Sequence, residues 1–151
     1  RVDLSLFDET RLIYALRMQS KRETFYATLV GHSIPTFCTA GGRAVLSALS
    51  DDAVRDVIAR TPLHAYTSKT QTDPELILDT IRTARREGYA MVQDEFVLGE
   101  VAIGVVITGR DGSPLGAIHV AASLSEWTPD TFAHQAAPVA IEAARAIVGS
   151  L

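Results

Sequence analysis

The chain has 151 residues, of which 47% are hydrophobic and 21% are charged. This length and mixture are typical of one globular domain that buries its core without a structural metal or disulfide. The formal net charge of −4 disfavours direct contact with nucleic acid, because DNA binding usually requires a basic face.

Alternating apolar residues predict a β-hairpin at the start of the chain. Val2, Leu4 and Leu6 alternate with Asp3 and Ser5. After a polar break at residues 8–10, the period of two resumes in a second apolar set, namely Leu12, Tyr14, Leu16 and Met18. Residues 19–37 show no clear period, so no element is predicted there.

Capping signals predict three helices in the middle of the chain. Thr39 and Ser50 are expected at the N-caps of the first two helices. Asp73 followed by Pro74 marks the third start, and Gly88 marks its end. The residues expected to face the core are Val45, Leu46 and Leu49, then Val54, Val57 and Ile58, and then Ile77, Ile81 and Ala84.

Three strands and a last helix follow. The strands are predicted at residues 89–94, 101–108 and 115–122, with a turn at residues 109–114. Thr128 and Pro129 begin the helix, and its expected inner positions are Phe132, Val139, Ala143 and Ile147. Because strands and helices occur in blocks, the sequence predicts an α+β fold with a largely antiparallel sheet flanked by helices.

The late strands distribute their bulk unevenly between the two faces of the predicted sheet. One face carries large aliphatic side chains, whereas the other carries Ala90 and Val92, Ala102, Gly104 and Val106, and Ala117, His119 and Ala121. This small face either packs closely against a helix or leaves a ligand cavity. His119 is its polar group, and it is either a hydrogen-bonded core residue or a ligand contact.

Residues 37–43 form a second candidate site. The Gly41-Gly42 pair follows a helix cap, where backbone N–H groups can approach an anion such as a carboxylate. A tight junction between a loop and a helix is the alternative reading of the same residues. Cys38 is interpreted as a small buried apolar residue rather than a reactive thiol.

Residue patterns for catalysis and metal binding are absent from the sequence. The four histidines lack metal-ligand spacing, and no nucleophile stands with a recognisable base. No catalytic residue, metal or cofactor is therefore expected. The single cysteine cannot form an internal disulfide, which favours a cytoplasmic setting, and no apolar run is long enough for a membrane span.

Four stretches resemble one protein family along nearly the whole chain. They are residues 34–46 (IPTFCTAGGRAVL), residues 63–73 (LHAYTSKTQTD), residues 85–90 (RREGYA) with Asp94-Glu95 and Gly99, and residues 117–121 (AIHVA) followed by Thr128. In this order and at this spacing they resemble the effector-binding domain of IclR-type transcriptional regulators. The resemblance implies a GAF/PAS-like sensor fold that spans residues 1–151.

The family resemblance also implies partners and a pocket. It implies a winged helix-turn-helix domain before Arg1 that contacts operator DNA, a homodimer or tetramer, and a small organic acid as effector. The expected ligand-binding residues are Phe37, Ala40, Gly41, Gly42, Val92, Ala102, His119 and Ala121. Val92, Ala102 and Ala121 are apolar where family members that bind very small acids carry polar side chains, which favours a roomier, more apolar cavity. The Phe37-Cys38-Thr39 run resembles regulators of aromatic-acid catabolism, which implies an aromatic acid as effector.

Two other functions remain open from the sequence alone. A small-molecule enzyme on a similar scaffold would need several titratable groups converging in the cavity, and only His119 can be named. A purely structural dimerisation module would have a filled core and no cavity beneath the late strands.

Overall fold

The structure, a computed structural model, describes residues 1–19 and 30–151. Of the stretch without a predicted element, residues 20–29 lie outside the described residues, and residues 33–35 form a short strand that the sequence did not reveal. The elements, in chain order, are β1 (Val2–Asp8), β2 (Arg11–Met18), β3 (Ser33–Pro35), α1 (Ala40–Ser47), α2 (Asp51–Ala59), α3 (Pro74–Glu87), β4 (Ala90–Gln93), β5 (Glu100–Thr108), β6 (Pro114–Ser123) and α4 (Pro129–Gly149).

The strands form one antiparallel sheet, which confirms the predicted α+β class. Within the described residues the strand order is β3-β2-β1-β6-β5-β4, and each neighbouring pair is antiparallel. β6 lies between β1 and β5, so the first strand of the chain pairs with the last. This pairing sets Asp3 opposite His119, and His119 opposite Gly104.

A β-bulge in β2 changes which side chains face the core. Leu4 pairs with Leu16 and Ser5 pairs with Tyr14, so Ala15 is the extra residue between them. Leu16 is consequently 53% exposed, whereas the Arg17 side chain is only 3% exposed. The expectation that the apolar residues of this strand share one face is therefore wrong beyond Tyr14.

The large aliphatic face of the sheet packs against α4. Val101, Ile103, Val105 and Ile107 of β5 are buried in a cluster with this helix. The inner face of α4 differs from the prediction, because Val139 is 69% exposed and Ala143 is also exposed. Its buried positions are Phe132, Ala137, Ala140 and Ala144, since small residues allow the helix to approach the bulky strand.

The small face of the sheet lies under α1. A side chain at position 104 would overlap the Ala40 backbone, and one at position 41 would overlap the ring of His119. Glycine at both positions therefore allows the first turn of α1 to touch the sheet. Further along the chain, α2 and α3 enclose a second core cluster with α1.

The predicted caps are confirmed. The side chains of Thr39, Ser50 and Asp73 each accept a hydrogen bond from a backbone N–H in the first turn of the helix that follows. Gly88 ends α3 with φ +83°, which is left-handed backbone that favours glycine. Within the described part of the chain, no helix is long and apolar enough to cross a membrane.

Candidate ligand-binding site

A cavity of about 500 Å³ opens on the small face of the sheet, beside the N-terminus of α1. Strands β2, β4, β5 and β6 contribute to its walls, together with α1 and two loops near residues 66–67 and 94–98. Pockets for small organic ligands usually measure about 300–1,000 Å³, so this volume is sufficient for one. The small face thus packs against α1 at one end and borders a hollow at the other.

One side of the cavity is apolar and aromatic. Val92 and Ala102, which pair across β4 and β5, face the hollow. Tyr66 and Phe96 line it from the two loops, with their ring centroids 5.0 Å apart in an edge-to-face arrangement. Phe37 lies behind Tyr66, with a centroid separation of 6.3 Å. Such walls favour a flat apolar group in the ligand.

A cluster of buried and half-buried charges forms another part of the wall. Asp3 accepts hydrogen bonds from the Nε atoms of Arg1, at 2.9 Å, and of Arg17, at 2.7 Å. Arg1 also makes a paired contact with Glu100 at 2.9 and 3.1 Å. The Arg17 guanidinium lies 4.6 Å from the centre of the Tyr14 ring. Arg1, Arg17 and Glu100 all line the cavity, so this side can contact a charged group of a ligand.

His119 lies where the charge cluster meets α1. Its Nε2 is 2.6 Å from the Ser5 hydroxyl, and its ring is 5.9 Å from that of Tyr14. Burial lowers the pKa of His119 from 6.5 to about 4, because the charged ring would lose its hydration. His119 is therefore neutral at pH 7 and carries one donor and one acceptor nitrogen.

A second ion pair fixes the loops that close the cavity. The Arg43 guanidinium makes two hydrogen bonds of 2.7 Å with the Glu95 carboxylate. Glu95 also accepts a 3.0 Å hydrogen bond from the backbone of Gln71. Thr67 and Thr70 donate to the backbone carbonyls of Asp94 and Glu95, each at 2.6 Å. The first turn of α1, the 66–71 loop and the 94–99 loop thus form one connected wall.

Asp94 stabilises the second of these loops. It has φ +60°, a left-handed conformation that is uncommon for a residue other than glycine. Its carboxylate accepts hydrogen bonds from Lys69, at 2.8 Å, and from the backbone of Gly99, at 2.7 Å. The Lys69 ammonium and the Gly99 amide hold the pKa of Asp94 below its usual value, so the ionised carboxylate closes the 94–99 loop.

The structure brings only part of the predicted site to the cavity. Ala40, Val92, Ala102 and His119 line it. Phe37 is fully buried behind Tyr66, and Ala121 pairs through its backbone with Arg1. Gly41 packs on His119, and the Gly42 N–H donates to Thr39 at 3.2 Å. The two glycines therefore bring α1 onto the sheet, and their amides do not line the hollow.

Several residues that line the cavity were not predicted from the sequence. Arg17 reaches the cavity because of the bulge in β2, which the alternating pattern does not signal. Tyr14 lies before the bulge on the same face as Leu12, but it was not predicted as a site residue. Tyr66 lies in a stretch that carried the family resemblance, and that resemblance was its only signal. Phe96 follows the Asp94-Glu95 pair of the resemblance but was not itself predicted. Cys38 also lines the cavity, and burial raises the pKa of its thiol to about 12, so it is protonated at pH 7.

No group of three or more histidine, cysteine or acidic side chains is placed to hold a metal ion in residues 1–19 and 30–151.

An antiparallel sheet with helices on both faces, enclosing a cavity lined by rings and buried charges, defines a small-molecule-binding domain. Comparison with protein families identifies the family to which this domain belongs. Residues 1–148 match the model described as "Bacterial transcriptional regulator IclR C-terminal", and the chain belongs to this family. Members of the family are transcriptional regulators rather than enzymes, and this domain binds their effectors.

Relatives and solved structures agree with this assignment. The Pca regulon regulatory protein of Pseudomonas putida is 32% identical over 116 residues, covering 77% of this chain and 40% of the relative. The chain thus spans less than half of that protein. An IclR transcriptional regulator of Silicibacter sp. TM1040 is 32% identical, with a TM-score of 0.85 over 99% of this chain and 58% of that one.

One structural neighbour was solved with a ligand. It is a double mutant of the inducer-binding domain of the PobR transcription factor from Acinetobacter, in complex with 3-hydroxybenzoic acid. Its TM-score is 0.84 at 22% sequence identity, and the match covers 97% of this chain and 86% of that one. At this identity the likeness establishes a shared fold.

Proposed function

We propose that this domain senses a small aromatic acid, which binds in the cavity between the charge cluster and the aromatic loops. The observation that carries the proposal is the composition of the wall, which is aromatic and apolar in one part and charged in another. Tyr66, Phe96, Val92 and Ala102 suit an aromatic ring, and the buried Arg17 suits a carboxylate. The PobR domain bound to 3-hydroxybenzoic acid supports the same class of ligand.

The carboxylate lies towards Arg17 in this proposal, and not at the Gly41-Gly42 turn. Guanidinium groups make the strongest hydrogen bonds with carboxylates, especially where water is excluded. Arg17 is held on the wall by Asp3 at 2.7 Å, so its position is fixed before a ligand arrives. In contrast, the Gly42 amide already donates to Thr39 within α1.

Calorimetric titration of the chain with benzoate, the hydroxybenzoates and short keto acids tests this proposal. We expect an aromatic acid to bind more tightly than the keto acids, because only its ring can fill the apolar side of the cavity. If every compound gave no heat at millimolar concentration, the proposed ligand class would be wrong.

A matched pair of variants tests the location. Ala102→Leu places a larger side chain on the cavity wall and should weaken binding by at least about tenfold. Ala143→Leu makes the same change on the exposed face of α4 and should leave the affinity unaltered. Equal affinities for the two variants would place the ligand elsewhere.

In the whole protein, we propose that the effector acts on DNA binding. The chain spans 40% of the Pca regulon regulatory protein, which leaves room for another domain in a protein of that length. A winged helix-turn-helix domain before Arg1 would contact operator DNA, while this domain binds effector and assembles as a homodimer or tetramer. Such a protein acts in the cytoplasm, where reducing conditions keep the free Cys38 as a thiol.

A further inference from the structure

We propose that Glu100 is an internal competitor of the ligand, whose carboxylate holds the Arg1 guanidinium until the carboxylate of an aromatic acid displaces it. Glu100 thus lowers the affinity of the cavity for acids and sets the concentration at which they bind. This inference rests on the proposed function and adds to it what the charge cluster gives up when an acid enters.

Glu100 contacts Arg1 in the way that a ligand carboxylate would. Its two oxygens accept hydrogen bonds of 2.9 and 3.1 Å from the two terminal nitrogens of the guanidinium. This paired geometry is among the strongest that a guanidinium offers to a carboxylate. The remaining nitrogen of Arg1, Nε, bonds Asp3 at 2.9 Å. The end of the guanidinium that could bind an acid is therefore already occupied, although Arg1 and Glu100 both line the cavity.

The same end of Arg1 lies near the proposed position of the ligand carboxylate. The guanidinium groups of Arg1 and Arg17 both bond the carboxylate of Asp3, and both arginines line the cavity. A carboxylate that lies towards Arg17 therefore also lies near Arg1. It can bind there only if Glu100 leaves the two terminal nitrogens.

The side-chain charges on the wall leave no surplus for an incoming anion. Among the described residues, the acidic side chains that line the cavity are Asp94, Glu95 and Glu100, and each is paired with a basic side chain. Asp3 compensates Arg17 in the same way. An acid that entered beside these pairs would add a negative charge in a site with little water, which is unfavourable unless one carboxylate withdraws.

Glu100 is the carboxylate of this group that can withdraw most easily. Its side chain is 22% exposed, and the corresponding values are 0%, 7% and 14% for Asp3, Asp94 and Glu95. Asp3 bonds two guanidinium groups, and the other two carboxylates each accept a backbone N–H as well as a basic side chain. Within the described part of the chain, the Glu100 carboxylate bonds Arg1 alone, so it can turn to water with the loss of one ion pair.

This competition raises the requirement that a ligand has to meet. A tethered carboxylate competes with every acid for the same guanidinium, so it weakens acetate and benzoate by a similar factor. Benzoate also gains contacts with the Tyr66 and Phe96 rings, which acetate cannot make. Glu100 therefore allows an aromatic acid to bind, while an acid without a ring binds too weakly to fill the cavity.

Calorimetric titration of Glu100→Gln with benzoate and benzamide tests this role. The variant keeps the size of the side chain and removes its charge, while Asp3 still holds Arg1 on the wall. We expect benzoate to bind the variant about tenfold or more tightly than the native chain, because it no longer has to displace a carboxylate. The affinity for benzamide should change little, since a neutral ligand does not replace Glu100 in the native chain.

Glu142→Gln is the matched control, because it removes the same charge from an exposed site on α4, which covers the other face of the sheet. It should leave the ratio of the benzoate and benzamide affinities unaltered, and the α-amino group of Arg1 is common to all three chains. Weaker or unchanged benzoate binding by folded Glu100→Gln would overturn the inference, since Glu100 would then only hold Arg1 in position. Absence of binding by benzoate, the hydroxybenzoates and the keto acids to either chain would overturn the proposed function as well.

A crystal structure of the native chain with benzoate separates displacement from simple repulsion between charges. Repulsion alone would also make Glu100→Gln bind more tightly, but it would leave the Arg1–Glu100 pair in place. We expect the benzoate carboxylate within hydrogen-bond distance of the Arg1 guanidinium and the Glu100 side chain turned to solvent. A complex in which Glu100 still makes both bonds to Arg1 would overturn the inference while leaving the aromatic-acid proposal intact.

Discussion

At the scale of single residues, His119 shows how burial changes the chemistry of a titratable group. Its side chain is enclosed by Ser5, Tyr14 and α1, so the charged ring would lose most of its hydration. The nearby Asp3 carboxylate favours the charged form, but Arg1 and Arg17 oppose it. Burial is the largest effect, and the ring stays neutral well below pH 7.

This neutrality has a consequence for stability. The pKa of His119 falls from 6.5 to about 4 on folding, so between these values the unfolded chain binds the extra proton. The free energy of unfolding should therefore decrease as the pH falls through this window, by about 2 kcal/mol between pH 7.5 and pH 5. Urea denaturation at the two pH values measures the change.

Two variants isolate the contribution of this histidine. His119→Gln should remove most of the pH-dependent loss, although the variant is less stable at pH 7.5. His134→Gln, an exposed position on α4, should behave like the native chain. If the native chain and His119→Gln lost equal stability on acidification, the ring would not be neutral in the folded state.

Sequence reasoning could identify some of the wall residues and not others. The positions of Ala102 and His119 on the small face of the sheet follow from the alternation in β5 and β6. In a regular strand, successive side chains point to opposite faces of the sheet. Arg17 could not be found in this way, since the extra residue Ala15 reverses the alternation before it. Gly41 was predicted as a ligand contact, whereas its close packing on His119 depends on the distance between α1 and the sheet, which the sequence does not reveal.

At the scale of the elements, the Arg43–Glu95 pair joins α1 to both loops of the cavity. The Arg43 side chain is 2% exposed and that of Glu95 is 14% exposed, so water screens the pair weakly. Arg43 also donates from Nε to the Phe37 carbonyl at 2.8 Å. The helix, the aromatic wall and the 94–99 loop are therefore held by one side-chain network.

Glu95→Gln should destabilise the fold and weaken ligand binding together. The substitution leaves the Arg43 charge buried without its carboxylate, which typically costs about 3–5 kcal/mol of unfolding free energy. Denaturation and calorimetry on the same sample measure the two effects. Glu142→Gln, at an exposed site on α4, is the control. A loss of stability as small as that of the control would mean that the pair does not hold this wall.

The helices were easier to predict than their packing. Caps depend on residues next to each other in the chain, so Thr39, Ser50 and Asp73 were identified correctly. The inner face of α4 was not, because the prediction favoured Val139 over the neighbouring alanines. The large side chains of β5 leave room only for small residues on the inner face of α4, and β5 lies in a distant part of the sequence.

At the scale of the whole molecule, the start of the chain meets the late strands at the cavity. β1 lies beside β6, and Arg1 bonds Glu100 on β5, so groups from the first strand contribute to a site built on the late strands. A segment attached before Arg1 would therefore emerge close to the bound ligand. In the longer protein proposed above, this arrangement would offer a short physical route between the effector and the DNA-binding domain.

A longer protein containing both domains should respond to the acid in its affinity for operator DNA. A ligand shifts such an equilibrium only through different affinities for the two states. Fluorescence anisotropy of labelled operator, with and without the acid, measures the response, and sedimentation shows whether the assembly changes. Ala102→Leu should bind operator normally and lose the response. Operator affinity that is independent of a bound acid would contradict the coupling.

The bulge at Ala15 determines the polarity of one side of the cavity. Had β2 continued its alternation without absorbing this extra residue, the isobutyl and thioether groups of Leu16 and Met18 would point inwards and the guanidinium of Arg17 would point to solvent. That part of the wall would then be hydrocarbon, and Arg1 would be the remaining guanidinium among the described residues that line the cavity. The one-residue bulge in β2 thus turns the Arg17 guanidinium towards the cavity, where it can bind an acidic ligand, although most residues of this strand are apolar.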